Sequence, residues 1–229
     1  MMPVWKLFGM SLLLLCTSNL AVAQESLKKD SVDNKIFESI IKSASTLNIT
    51  LGPSHSPSKR KLNDIQSNAK FLQDLFASTG ESQLPPVYAQ SLSLDAKILV
   101  RLVKETRDRK YHKSEVYADV QNVAVDLSIK VAHIKYSRGG AIKNIQVVVH
   151  TKRADQEVTG YEVWYVPKGW ASEQSAFIRF DRVSSPTSMD LAPGNYFIWL
   201  QSGQTKTSRL PVKLGGDGKS RRDIDLIVP

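Results

Sequence analysis

The four histidines are the first residues in this chain to consider for metal binding or acid–base chemistry. His55, His112, His133 and His150 are scattered; no two stand at metal-ligand spacing, and no cysteine pair completes a zinc site. The sequence also lacks the G-x-S-x-G, H-E-x-x-H and Walker motifs of hydrolases, metalloproteases and nucleotide-binding proteins. We therefore predict no catalytic residue, no metal site and no cofactor, and expect a non-enzymatic protein.

The stretch YEVWYVPKGW, residues 161–170, places two tryptophans and two tyrosines within ten positions. Two more large rings, Phe197 and Trp199, stand in NYFIWLQ further along the chain. Large rings fill the protein's own core, cover another part of the chain or contact a ligand, depending on which side of their element they occupy. Their role therefore depends on the elements that position them.

The N-terminus, MMPVWKLFGMSLLLLCTSNLAVAQES, is typical of a secretory signal peptide. Lys6 precedes an apolar run over residues 7–16, which is too short to span a bilayer comfortably, and AVA at 21–23 matches a cleavage site. We predict a signal peptide over residues 1–23 and a mature chain without cysteine. A cysteine-free exported chain fits a bacterial periplasm or the cell exterior, so we expect periplasmic or extracellular localisation.

The first half of the chain has the apolar spacing of helices. Apolar residues recur in steps of three and four over residues 32–47 and 62–76, and a break follows at 78–86. Residues 87–137 contain neither Gly nor Pro and keep one helical frame. We interpret them as one long helix, or as two nearly collinear helices meeting near residues 111–114.

The helical segment at residues 97–113 is the most basic part of a chain whose net charge is +9. Lys97, Arg101 and Lys104 fall on one side of the predicted helix. A solvated face with pairs such as Arg101–Glu105 is the interpretation we favour. Contact with an anionic surface is the alternative, and we expect no nucleic-acid partner because an exported protein rarely meets one.

The second half changes to a period of two. Seven short apolar–polar segments, separated by turn residues, predict a seven-stranded antiparallel β-sandwich over residues 142–229. The segments are IQVVVHT, GYEVWYV, AFIRFD, TSMDL, NYFIWLQ, TSRLPVKL and RRDIDLIV. The fold class is therefore α+β in two parts, with a helical region over residues 24–140 before the sandwich.

The sandwich segment also carries a family resemblance. A strand, a Gly-led second strand and the pattern L-x-P-G-x-Y formed by Leu191, Pro193, Gly194 and Tyr196 resemble the prealbumin-like (Ig-like) sandwiches, including carboxypeptidase regulatory-like and PEGA-type modules. The resemblance covers residues 145–229 and implies a structural or recognition module. Hydroxyisourate hydrolases share this fold but end in Tyr-Arg-Gly-Ser. This chain ends in DLIVP, so that activity is not implied.

Alternation assigns the rings to two faces of the predicted strands. The inner face carries Val163, Tyr165, Tyr196 and Ile198. Trp164, Phe197 and Trp199 then lie on the outer face, and Trp170 lies in a loop, where we expect it to be the most exposed ring. Three interpretations of the outer face are open: the helices cover it, a partner protein or second copy covers it, or it stacks on sugars beside Glu162 and Arg179. We favour the first.

These observations predict an exported protein that recognises or supports a component of the cell envelope. Its expected contact residues are Trp164, Trp170, Phe197 and Trp199. An envelope protein or a glycan is the expected partner, and the oligomeric state stays open. A carbohydrate-binding or hydrolase-accessory protein is the alternative.

Overall fold

A computed structural model describes residues 32–52, 55–80, 83–108, 112–137, 141–183 and 185–228. The predicted signal peptide, residues 1–23, lies outside the described residues. Four helices occupy the described part of the N-terminal region. They are α1 (Val32–Thr50), α2 (Ser56–Thr79), α3 (Pro86–Arg107) and α4 (Lys113–Tyr136).

Each helix buries an apolar stripe in a shared helical core. The buried stripes of α1 and α2 include Phe37, Ile40, Leu62 and Ile65, at the spacing that the sequence predicts. Helix α2 is capped at its C-terminus by Gly80, whose φ of +76° is a left-handed conformation that glycine adopts without steric cost. Helix α1 packs along α2 and α3, and α2 packs along α4. None of the described helices is both long and apolar enough to cross a membrane.

Residues 87–137 form two helices, as the second interpretation has it, but the expectation that they are nearly collinear is wrong, and so is the single long helix. The segment divides into α3 and α4, which run antiparallel rather than end to end: Arg101 pairs with Asp119, and Asp95 pairs with Lys130. The chain reverses in the polar middle of the segment, between Arg107 and Lys113. The apolar spacing continues across this reversal because both helices bury their stripes in the same core, so the spacing carries no sign of the turn.

The C-terminal part contains nine strands among the described residues. All seven predicted strands are present, and the two additional strands, β2 and β7, have two residues each. The strands are β1 (Ile145–Arg153), β2 (Gln156–Glu157), β3 (Glu162–Pro167), β4 (Ile178–Arg179), β5 (Thr187–Leu191), β6 (Gly194–Ser202), β7 (Thr205–Lys206), β8 (Leu210–Leu214) and β9 (Arg221–Ile227).

The strands form two sheets that enclose a second core. In the first sheet, β1 pairs with β2, β5 and β9; in the second, the order is β4-β3-β6-β7, and β8 also pairs with β6. All pairs are antiparallel, as predicted, except β1–β9, which is parallel, with Gln146 opposite Arg221. The first sheet is therefore mixed. A parallel pair needs a long connection, and local alternation cannot reveal the direction of a remote partner strand.

The helical part packs against one end of the sandwich. Helix α4 contacts the start of β6 and the 3-10 turn Lys168–Trp170. The Asp126 carboxylate accepts a hydrogen bond from the backbone N–H of Asn195 at 2.9 Å. Ala192, in the β5–β6 turn, is buried in the helical core, and Val87 touches both cores. The joint between the two parts is therefore packed and hydrogen-bonded.

Candidate binding surface

The predicted inner and outer faces of the second sheet are confirmed. The inner-face residues Val163, Tyr165, Tyr196 and Ile198 are buried in the sandwich core. On the opposite face, Trp164 lies directly across from Trp199 in the β3–β6 register. Their rings are stacked, with centroids 6.4 Å apart and planes inclined by 16°. The outer face of the second sheet therefore carries a stacked pair of indole rings.

Trp199 is nevertheless only 2% exposed. Phe177 meets it edge-on at a centroid distance of 5.0 Å, and the Arg209 guanidinium lies 5.0 Å from its ring centre. Arg209 is held there because its Nη1 donates a hydrogen bond to the carbonyl oxygen of Ala171 at 2.7 Å. These contacts come from the β3–β4 connection and the segment before β8. They do not come from the helices, as the favoured interpretation required, so Trp199 is not an open contact residue.

Trp164 is the partly exposed member of the stacked pair. Its Nε1 donates a hydrogen bond to Glu162 Oε2 at 3.0 Å, and Arg179 Nη1 donates to Glu162 Oε1 at 2.6 Å. The bonds from Arg179 and from Trp164 hold the pKa of Glu162 below its usual value, so this carboxyl is ionised at neutral pH. The outer face thus presents a partly exposed indole beside a fixed ion pair. Phe197, on the same face, is also partly exposed.

Trp170 is partly exposed, as Trp164 is, but it packs against the helical core, and its Nε1 is buried with no hydrogen-bond partner. The neighbouring Gly169 lies so close to α3 that an added Cβ would stand 2.9 Å from Ile98 Cδ1. The 3-10 turn is pressed against α3 and α4, so Trp170 belongs to the joint between the two parts. The Pro-Lys-Gly sequence before Trp170 predicts a loop, but it does not indicate that the loop packs against the helices.

A buried ionic cluster in the joint was missed by the sequence analysis. Lys130 is 0% exposed, and its Nζ lies 3.4 Å from Oδ2 of Asp95, whose side chain is 5% exposed. Burial raises the pKa of Asp95 to about 7, against the opposing effect of Lys130. Burial also raises the pKa of Asp126, opposed by Lys130 and by the Asn195 N–H. The sequence signal was present, because these polar residues interrupt the buried stripes of α3 and α4.

The ionic cluster has no room for a substrate. The adjoining cavity, lined by Ser91, Asp95 and Asp126 among others, has a volume of about 10 Å³. That space holds one water molecule at most. The cluster therefore fastens α3 to α4 and α4 to the sandwich, and any ligand surface must lie elsewhere.

The histidines are separate from one another in the fold. His55 and His133 are buried, and burial lowers the pKa of His133. His150 Nδ1 lies 2.7 Å from Glu157 Oε1 on the surface of the first sheet, and His112 is exposed beside the start of α4. Among the residues that the structure describes, no three His, Cys, Asp or Glu side chains are grouped so as to hold a metal ion.

Comparison of the chain with protein-family models, with curated proteins and with solved structures found no match. The sandwich architecture therefore rests on the strand pairing and the enclosed core alone. Fold by itself does not specify function, so function has to be argued from the surfaces of this chain.

Proposed function

We propose that the protein is an exported, non-enzymatic protein of the bacterial cell envelope whose β-sandwich recognises an envelope component through the surface around Trp164. The observation that carries this proposal is the indole of Trp164, partly exposed and hydrogen-bonded to Glu162 beside Arg179. Aromatic rings that are partly exposed to solvent and hydrogen-bonded to a polar side chain are typical of recognition surfaces. Trp199 supports the surface from beneath and does not touch the partner.

We assign the sandwich to the prealbumin-like group, of the carboxypeptidase regulatory-like or PEGA type. The L-x-P-G-x-Y segment supports this assignment, because it forms a closed turn at the start of β6. The Tyr196 hydroxyl donates a hydrogen bond to the Ala192 carbonyl at 2.8 Å, and Leu191 is fully buried. Gly194 is packed against the Tyr196 ring, so that an added Cβ would lie 3.3 Å from its Cε2. Modules of this group serve mostly as recognition or structural additions to exported proteins.

A glycan is the second candidate partner, favoured by one specific feature of the surface. Sugar rings stack on indole faces, but their hydroxyls also need fixed polar groups. Glu162 and Arg179 supply such groups beside Trp164. A carbohydrate-binding or hydrolase-accessory role is therefore the alternative function.

The test is co-sedimentation of the purified protein with envelope fractions. Trp164→Ala is compared with Tyr117→Ala, which removes an exposed ring from α4 instead. We expect Trp164→Ala to weaken binding at least about tenfold, as for an aromatic contact residue at the centre of an interface, and Tyr117→Ala to bind normally. Absence of binding by the unsubstituted protein, or equal binding by both variants, would refute the proposal.

The two candidate partners are distinguished by protease treatment of the envelope fraction before sedimentation. A protein partner loses binding on proteolysis, whereas a glycan keeps it and soluble oligosaccharides then compete. Export is tested separately by sequencing the N-terminus of the protein after secretion. We expect the mature chain to begin at Gln24.

A further inference from the structure

Helices α1 and α3 leave an open groove between them on the helical part of the molecule. Its volume is about 560 Å³. The groove is lined in part by apolar side chains: Val32, Ile36, Ala96 and Val100. Val32 is 76% exposed and Val100 is 50% exposed, although both helices also bury an apolar stripe in the helical core. Apolar side chains gathered in a concave, wet surface are typical of a ligand site.

The groove also contains four basic residues. Lys35, Lys97, Arg101 and Lys104 line it, and none of its lining residues is acidic. Arg101 already forms an ion pair with Asp119, with its Nη2 at 2.7 Å from Asp119 Oδ2. The three lysines form no ion pair within the described part of the chain. The groove is therefore positively charged, and its lysines are available to a negatively charged ligand.

The size of the groove favours a small ligand over a protein. Its volume lies within the roughly 300–1,000 Å³ of small-molecule sites. Its lining comprises ten residues, whereas a stable protein interface uses about 20–30 residues on each side. Two serines, Ser39 and Ser93, are its only uncharged polar side chains, so the apolar part offers few hydrogen bonds to a polar ligand. A flexible alkyl chain needs none.

We propose that this groove binds a single-chain amphiphile with an anionic head group, such as a long-chain carboxylate. The alkyl chain lies along Val32, Ile36 and Val100, where each methylene removed from water adds to affinity. The head group lies beside Lys97 and Lys104, whose ammonium groups attract its negative charge. This site is on the helical part and rests on observations separate from those at Trp164, so either proposal can fail without the other.

The experiment is calorimetric titration of the purified protein with laurate, below the concentration at which laurate forms micelles. Two matched probes separate the contributions of chain and head group. Acetate carries the carboxylate without the chain, and dodecyl maltoside carries an alkyl chain of nearly the same length without the charge. We expect one laurate per protein, no detectable acetate binding, weaker binding of the maltoside, and loss of affinity as salt concentration rises.

One pair of variants tests the apolar part of the site. Val100→Asn places a polar amide in the groove, whereas Ile49→Asn makes a similar change at an exposed position of α1 outside it. We expect Val100→Asn to weaken laurate binding roughly tenfold and Ile49→Asn to leave it unchanged. Both positions are exposed, so both variants fold, which far-UV circular dichroism verifies.

A second pair tests the charged part. Lys97→Gln with Lys104→Gln removes two lysines from the groove, whereas Lys70→Gln with Lys113→Gln removes two exposed lysines elsewhere. We expect the first pair to weaken laurate binding roughly two- to thirtyfold, the range for two solvent-exposed ion pairs. The second pair retains the affinity of the unsubstituted protein.

Three outcomes would overturn the proposal. The first is no laurate binding, or binding that neither groove variant weakens. The second is equal affinity for laurate and dodecyl maltoside, which would show that the lysines do not contribute to binding. The third is binding to phosphatidylglycerol vesicles without binding to laurate, which makes the basic helix a membrane-contact surface instead.

Discussion

The sharpest test of the packing concerns Lys130, the cation of the buried cluster. Lys130→Met keeps most of the side-chain volume but removes the ammonium group that lies 3.4 Å from Asp95. Because Lys130 is 0% exposed, bulk solvent cannot take over the role of that ammonium group. Breaking a buried ion pair by removing one partner costs about 3–5 kcal/mol. Domains of this kind have a total stability of about 5–15 kcal/mol, so the loss is readily measured.

The cost of Lys130→Met should depend on pH in a defined direction. Burial raises the pKa of Asp95 to about 7, and Lys130 opposes that rise. In the Lys130→Met variant the ammonium group no longer lowers the pKa of Asp95. The Asp95 carboxyl is then either charged without a partner or protonated. A buried neutral carboxyl costs less than a buried charge. The destabilisation should therefore be largest above the pKa of Asp95 and should shrink at acidic pH.

The assay is urea unfolding followed by far-UV circular dichroism, at about pH 8 and about pH 5. Lys113→Met removes an exposed lysine from the same helix and should change stability by no more than about 0.5 kcal/mol. Combining Lys130→Met with Asp95→Asn removes the uncompensated charge and should recover most of the loss. If Lys130→Met costs no more than Lys113→Met at the higher pH, the cluster does not hold the helices together.

Three further predictions follow from individual contacts. Gly218→Ala should destabilise the protein more than Gly203→Ala: both glycines have positive φ, but a Cβ at Gly218 would meet the backbone of α4, whereas the space at Gly203 is open. Urea unfolding should show a loss of about 1–2 kcal/mol in the free energy of unfolding for Gly203→Ala and a larger loss for Gly218→Ala. Because the pKa of Asp95 is raised from 3.8 to about 7, its contribution to stability should be present below about pH 4 and lost as pH rises through 7. The melting temperature of Asp95→Asn should lack that part of the pH dependence. Arg209→Ala should open the ring of Trp199 to acrylamide quenching, measured by tryptophan fluorescence; unchanged quenching would show that other groups cover it.

Much of the fold could be predicted from the sequence because its elements are set by local periodicity. The stripes of α1 and α2 and all seven main strands follow directly from helical and alternating patterns. The reversal between α3 and α4 could not be predicted, because no Gly or Pro marks it. The parallel pairing of β9 with β1 was equally hidden, since alternation is the same for either direction of the neighbouring strand.

The candidate surface could be predicted only in part. The alternation of side chains along the strands correctly assigned Trp164 and Trp199 to the same face, but it predicted the same exposure for both rings. The structure separates them: Phe177 and Arg209 close over Trp199, while Trp164 stays partly open. Phe177 comes from the β3–β4 connection, and nothing in the local pattern predicts that it meets Trp199. Arg209 comes directly before Leu210, which pairs with Ile198, so the β6–β8 pairing brings it beside Trp199.

The sequence by itself determined the α+β organisation, the positions of most elements and the side of each strand on which a ring lies. Those properties depend on backbone geometry, which repeats every 3.6 or every two residues. Only the tertiary structure decided which rings are open, that Trp170 joins the two parts, that Asp95, Asp126 and Lys130 share one buried site, and that a basic groove lies between α1 and α3. The reason is physical: exposure and charge pairing are properties of side chains brought together from distant positions, and they exist only once the chain has folded.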